Sequence, residues 1–194
     1  TVVEIDPAMT ATARRWFDLK DDARLTVQHE DARAFLNRQQ GQYDLVFVDV
    51  FNSHYAVPFQ MGTREAAAAL RRAVAPGGIM LMNVISAVEG PDGRLFQSIF
   101  NALAQSFAEV RVYCAGGEAA DKLQNLMVAA FPEQRDNAPA GQALAADAHD
   151  TGESAVSLSA MLASRYTGKQ PFATPALTDD FAPVERYTLV LLRQ

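Results

Sequence analysis

Residues 43–52, YDLVFVDVFN, constrain this chain more than any other stretch. They begin polar, cross an apolar run and end on Asp49, and the loop that follows supplies Asn52, His54 and Tyr55. A buried strand that delivers a carboxylate into a polar loop suits an α/β sheet, in which ligands collect at the carboxyl ends of strands. The same pattern also fits a core strand whose terminal Asp caps a turn.

The flanking segments repeat the strand-then-helix order. Thr1–Ile5 reads as a buried, β-branched strand, and Asp6-Pro7 as a helix start, with Asp6 as N-cap and Pro7 where its missing N–H costs nothing. Met9, Ala13, Trp16 and Phe17 fall on one face of that helix. Leu25–His29 reads as a second strand, and Asp31 as the cap of a helix that turns Phe35 and Leu36 inward. After the Tyr43 strand and a loop over 50–62, Thr63 caps an Ala-rich helix whose stripe is Ala66, Ala67, Leu70 and Val74, stopped by Pro76-Gly77-Gly78. Ile79–Val84 is the next strand, interrupted by Asn83. A helix carrying Leu95, Phe96, Ile99, Phe100, Leu103 and Phe107 follows it. The alternation, sustained over about four units, predicts a doubly wound, mostly parallel α/β sheet. Strands at Glu109–Tyr113 and Asn125–Ala130 lack a helix between them, which predicts an antiparallel hairpin at one edge.

Residues 132–156 shift to Ala, Asp, Gly and Pro and read as a variable surface segment. Leu158–Tyr166 reads as a short helix, and the tail 175–192 as ending in an apolar strand or edge segment. A chain of 194 residues is most simply one domain. Net charge is −6 and the pI about 5.0, which argues against a nucleic-acid partner. One cysteine, Cys114, read as a buried spectator, and three scattered histidines predict no disulfide framework and no metal site. No membrane span or leader is legible, so a cytoplasmic location is expected.

There is no GxGxxG or Walker A motif. What remains is a series of carboxylates at strand ends, Glu4, Asp31 and Asp49, which the doubly wound rule brings to one sheet edge. A carboxylate after one strand can accept both hydroxyls of a ribose, and one after the next the exocyclic amine of adenine. Each residue is also a plausible cap. His54 and Tyr55 fit a solvated loop as well as an acceptor pocket. Asn83 fits a satisfied core amide or a pocket, and Asp179 and Asp180 fit a structural turn.

VEIDP at Val3–Pro7, HEDARAFL at His29–Leu36, YDLVFVDVF at Tyr43–Phe51, APGG and its following Asn at Ala75–Asn83, and LTDDFAPVE at Leu177–Glu185 resemble the spermidine synthase family. These polyamine aminopropyltransferases are built on the class I S-adenosylmethionine-dependent methyltransferase fold, a Rossmann-like nucleoside-binding domain. The resemblance covers nearly the whole chain. It implies that Glu4 holds the ribose hydroxyls and that Asp31, with the Ala32 backbone beside it, binds the adenine amine. Asp49 matches the family's catalytic aspartate beside the attacking amine. The donor implied is decarboxylated S-adenosylmethionine, or S-adenosylmethionine itself. The partner implied is a small-molecule amine acceptor, with Asn52, His54 and Tyr55 in its vicinity. An alkylammonium titrates near roughly 10 and a carboxylic acid near roughly 4. The help expected from an aspartate there is therefore positional and electrostatic rather than that of a matched base.

Two departures qualify the resemblance. The family has D-x-x-D-P at this point, and its second aspartate helps bind a diamine; this chain has Asp49-Val-Phe-Asn52-Ser53. An amide there removes a charge partner for a cationic acceptor, which puts putrescine in doubt while leaving nucleoside binding untouched. The family's Gly-rich first strand and loop are also expected ahead of Thr1. Without that strand, the inner edge of Thr1–Ile5 is expected to be covered by a partner chain, as in a homo-oligomer, or by a rearranged strand. Methyl transfer, and a non-catalytic domain of a larger protein, are the alternatives to aminopropyl transfer.

Overall fold

The computed structural model describes residues 1–50, 58–135 and 162–188. The chain divides into two compact units, Thr1–Gly41 and Gln42–Gln194.

In the first unit, β1 (Val2–Glu4) is followed by α1 (Pro7–Trp16), β2 (Val27–His29) and α2 (Ala32–Arg38). β1 and β2 are parallel, in the register Val2↔Val27, Val3↔Gln28 and Glu4↔His29. Both caps read from the sequence are present. Asp6 accepts from the Ala8 N–H at 2.8 Å, and Asp31 from the Ala34 N–H at 2.9 Å. Each satisfies one of the orphan donors of a first helical turn.

Phe35 and Leu36 are buried, as the pattern predicts. The α1 face is not: Trp16 is 68% exposed and Phe17 78%, and Met9 is also exposed. The residue α1 turns inward is Thr10, whose hydroxyl lies 3.0 Å from His29 Nε2. A two-stranded sheet offers too little apolar surface to cover that helix face. No described strand pairs with the second edge of β1, so a rearranged strand among the described residues is not what covers it.

The second unit holds β3 (Tyr43–Val48), α3 (Arg64–Ala73), β4 (Val74–Ser86), α4 (Arg94–Leu103), β5 (Glu109–Cys114), β6 (Gln124–Phe131) and α5 (Val184–Thr188). The sheet order is β3-β4-β6-β5. β3 and β4 are parallel across the α3 crossover, whereas β6 runs antiparallel to both β4 and β5. The mixed α/β sheet with a terminal antiparallel hairpin is thus the predicted class, with β6 folded inside and β5 at the edge.

α3 starts at Thr63, whose Oγ1 accepts from the Ala66 N–H at 3.2 Å. Its stripe is Ala66, Ala67, Ala69, Leu70 and Ala73, all at most 1% exposed. Val74, read as the helix's last apolar residue, instead opens β4, and the Pro76-Gly77-Gly78 stop lies inside the strand as an irregularity of its register with β3. Gly77 has φ +73°, and a Cβ on Gly78 would approach the Asp44 carbonyl to 2.8 Å, so this bend favours glycine at both positions.

Beyond the bend, Met80, Met82 and Val84 face the helices, where α4 contributes Phe96, Ile99 and Leu103. The opposite face carries a smaller cluster of Tyr113, Ala129 and Phe131, with Ile79, Leu81, Met127 and Leu162 packed against it. β3, expected to be buried, is the edge of this sheet. Val48 is buried, but Leu45 and Phe47 on the other face are 55% and 56% exposed. In the tail, Val184–Thr188 forms a short helix. The segment 136–161, with most of the predicted surface stretch, and the apolar end 189–194 lie outside the described residues.

Candidate functional site

Parallel pairing with Glu4 opposite His29 places Glu4 and Asp31 at the carboxyl ends of adjacent strands. Both side chains are half-buried. Glu4 Oε1 accepts from the Asp6 N–H at 2.8 Å, and the Glu4 carbonyl accepts from the Glu30 N–H at 3.2 Å. The first bond closes the β1–α1 turn on itself, and the second ties it to the turn that follows β2.

Each carboxylate spends one oxygen on its own turn, Oε1 in Glu4 and Oδ1 in Asp31. Among the described residues, Glu4 Oε2 and Asp31 Oδ2 accept no hydrogen bond. An ionised carboxylate has acceptor sites to spare after one such bond. Capping and ligand binding are thus compatible at Asp31. Ala32 is the first residue of α2, directly after that carboxylate. A concavity of about 420 Å³ opens on another side of this unit, among Thr10, Arg14, Lys20, Asp22 and His29; neither Glu4 nor Asp31 lines it.

In the second unit, Asp49 directly follows β3 and is exposed. The β3–β4 register ends at Val48↔Met82, which sets Asp49 beside Asn83, and the Asn83 Nδ2 donates to Asp49 Oδ1 at 3.1 Å. Asn52, His54 and Tyr55 lie outside the described residues.

The polar interruption of β4 is thus hydrogen-bonded to the carboxylate that the sequence singles out. Sequence reasoning left Asn83 between a core amide and a pocket residue. The signal that would have found its partner is the parallel register, which a linear reading does not provide.

Asp179 takes the structural role expected of it. Its Oδ1 accepts from Thr63 Oγ1 at 2.6 Å, and its N–H donates to Glu65 Oε2 at 3.0 Å, tying the tail to the first turn of α3. Cys114 is half-buried rather than buried, and burial raises its thiol pKa. Tyr166 is a residue the sequence did not flag. Partial burial, with its 2.7 Å hydrogen bond to Glu89 Oε1 and that carboxylate's charge, pushes its phenol up to about 12.

At the far end of β5, burial opposes ionisation of Glu109. The Arg111 hydrogen bond, the Arg135 N–H and the charges of Arg111 and Arg165 outweigh it and hold that carboxyl below its ordinary range. Among the described residues, no group of three or more His, Cys, Asp or Glu is arranged to hold a metal ion, and no helix is long and apolar enough to cross a membrane.

Parallel strands joined by helices and a closing antiparallel hairpin give an α/β fold of the class I methyltransferase type. The solved structure of human methyltransferase-like protein 13 with SAH shares this fold. Its TM-score is 0.59 at 21% identity, covering 82% of this chain and 76% of that one. Within that fold, the similarities that follow are to spermidine synthases and polyamine aminopropyltransferases. A probable spermidine synthase from Corynebacterium glutamicum superposes with a TM-score of 0.69 at 19% identity, over 93% of this chain and 63% of that one. In sequence, the chain is 36% identical over 112 residues to a probable polyamine aminopropyl transferase of Bifidobacterium longum, which is 57% of this chain and 23% of that protein. The chain thus spans under a quarter of that relative's length. No family model matches it.

Proposed function

We propose that this protein binds an adenosyl-sulfonium donor and transfers its aminopropyl group to an amine. The observation that supports this best is the Glu4–Asp31 pair, two carboxylates at the ends of adjacent parallel strands that each keep, among the described residues, one oxygen free. It is joined by sequence similarity to a probable polyamine aminopropyl transferase. In this reading Glu4 accepts the ribose hydroxyls, and Asp31, with the Ala32 backbone, recognises the adenine amine. The donor is decarboxylated S-adenosylmethionine, and the setting is cytoplasmic.

In the transfer, the lone pair of a neutral amine attacks the propyl carbon attached to the sulfonium. The C–S bonding pair goes to sulfur, leaving a neutral thioether, and the new ammonium then loses one proton. Asp49 holds the amine and the positive charge that develops on it. A preorganised carboxylate does this at no reorganisation cost in the transition state. In sequence, Asn52 replaces the second aspartate of the D-x-x-D motif, the residue that would pair with a diamine's distal ammonium. The acceptor is therefore an amine that does not depend on that pairing, and putrescine is a poor candidate.

Methyl transfer is the second reading, favoured by the likeness in fold to a methyltransferase. Calorimetry on the full-length protein with methylthioadenosine, decarboxylated S-adenosylmethionine and S-adenosylmethionine separates the two. Binding of methylthioadenosine and the decarboxylated donor, followed by turnover with an amine, is expected. Failure of all three to bind overturns the nucleoside site. Turnover of S-adenosylmethionine alone establishes methyl transfer instead.

A further inference from the structure

We infer that Asn83 is a positioning residue for Asp49, fixing one carboxylate oxygen so that the other is presented to the acceptor amine. The inference rests on the reading of Asp49 as the residue beside that amine. Met80, Met82 and Val84 alternate on the helix-facing side of β4, and Asn83 lies on the opposite side with Leu81 and Ile85. Asn83 interrupts the apolar run of the strand, and its half-buried amide is matched to an exposed carboxylate. Asp49 Oδ1 lies 3.1 Å from its Nδ2, one step beyond the last paired residues, Val48 and Met82.

An exposed aspartate at the end of a strand otherwise samples its staggered χ1 wells. A side chain that must lie in line with a forming bond loses rate steeply when its position wanders. The chemistry of asparagine is specific to this task. A lysine here would hold the carboxylate but also neutralise it, and a carboxylate would repel it. The amide donates without adding charge, so the free oxygen keeps its anionic character for a cationic or developing ammonium.

The contact links residues 34 apart in sequence through a parallel register, so it is set by the sheet and not by a local turn. The chain keeps this support for Asp49 although Asn52 replaces the second aspartate of the motif it resembles.

The test uses the full-length protein and two variants, Asn83→Leu and Asn83→Asp, which are close to asparagine in size but cannot donate. Three-bond couplings at Asp49 measure its χ1 population whether or not the protein turns over substrate. One dominant rotamer is expected in the natural chain and averaging over several in both variants. Unchanged couplings in both variants overturn the inference. If Asn83→Leu loses the native amide spectrum, Asn83→Asp decides.

With donor and amine present, kcat should fall by roughly 10- to 100-fold while calorimetric donor affinity stays the same. A purely structural role would lower the folded fraction and leave kcat per folded molecule intact. An absence of donor binding counts against the proposed function alone, because the coupling measurement still judges the role of Asn83.

Discussion

Asp31 separates capping from ligand binding in a way that substitution can resolve. Its Oδ1 caps α2 through the Ala34 N–H at 2.9 Å, and in the proposed site its other oxygen and its charge serve the adenine amine. Asp31→Asn keeps a cap of equal rank and removes the charge; Asp31→Ala removes both. Losing an N-cap costs about 1 kcal/mol. Losing a hydrogen bond to a charged group costs about 1.5–3 kcal/mol, which corresponds to roughly 10- to 100-fold in affinity. Asp31→Asn should therefore unfold at the natural urea midpoint yet bind methylthioadenosine roughly 10- to 100-fold more weakly by calorimetry. Asp31→Ala should show the same loss of affinity together with about 1 kcal/mol less stability. If Asp31→Asn binds the nucleoside as tightly as the natural chain, Asp31 is a cap and nothing more, and the adenine assignment falls.

Phe96 is fully buried and meets Phe172 edge-on with ring centroids 6.0 Å apart, so Phe96→Ala should cost about 3–5 kcal/mol in urea denaturation. A loss below about 1 kcal/mol would show that the α4 core refills the space. Tyr166 provides a pH test at the other extreme. Its folded pKa of about 12 lies above the unfolded value near 10, so its contribution to stability is complete below about pH 10 and is lost as pH rises through 12. Glu89→Gln should bring the tyrosinate absorbance midpoint of Tyr166 down without restoring the free value, since burial remains; an unchanged midpoint would refute the role of the Glu89 charge.

Local chemistry was readable directly. Asp6, Asp31 and Thr63 cap the helices they precede because a cap needs only a side chain two or three residues from the N–H it satisfies. The apolar stripes of α3 and α4, and the missing helix between β5 and β6, likewise follow from periodicity and spacing, and with them the α/β class. The sequence also brings its polar punctuation to strand ends, which singled out Glu4, Asp31 and Asp49.

Three features required the folded chain. Leu45 and Phe47 look like core residues of a central strand, yet β3 is the edge of its sheet and both are more than half exposed. The apolar face of α1 is open in the same way. Periodicity says which residues share a face, but whether the face is covered depends on what packs against it. The bonds from Asn83 to Asp49 and from Thr63 to Asp179 join residues 34 and 116 apart. Such partners are chosen by strand register and by where the tail docks. Both are set by packing across the whole unit, which no window of sequence contains.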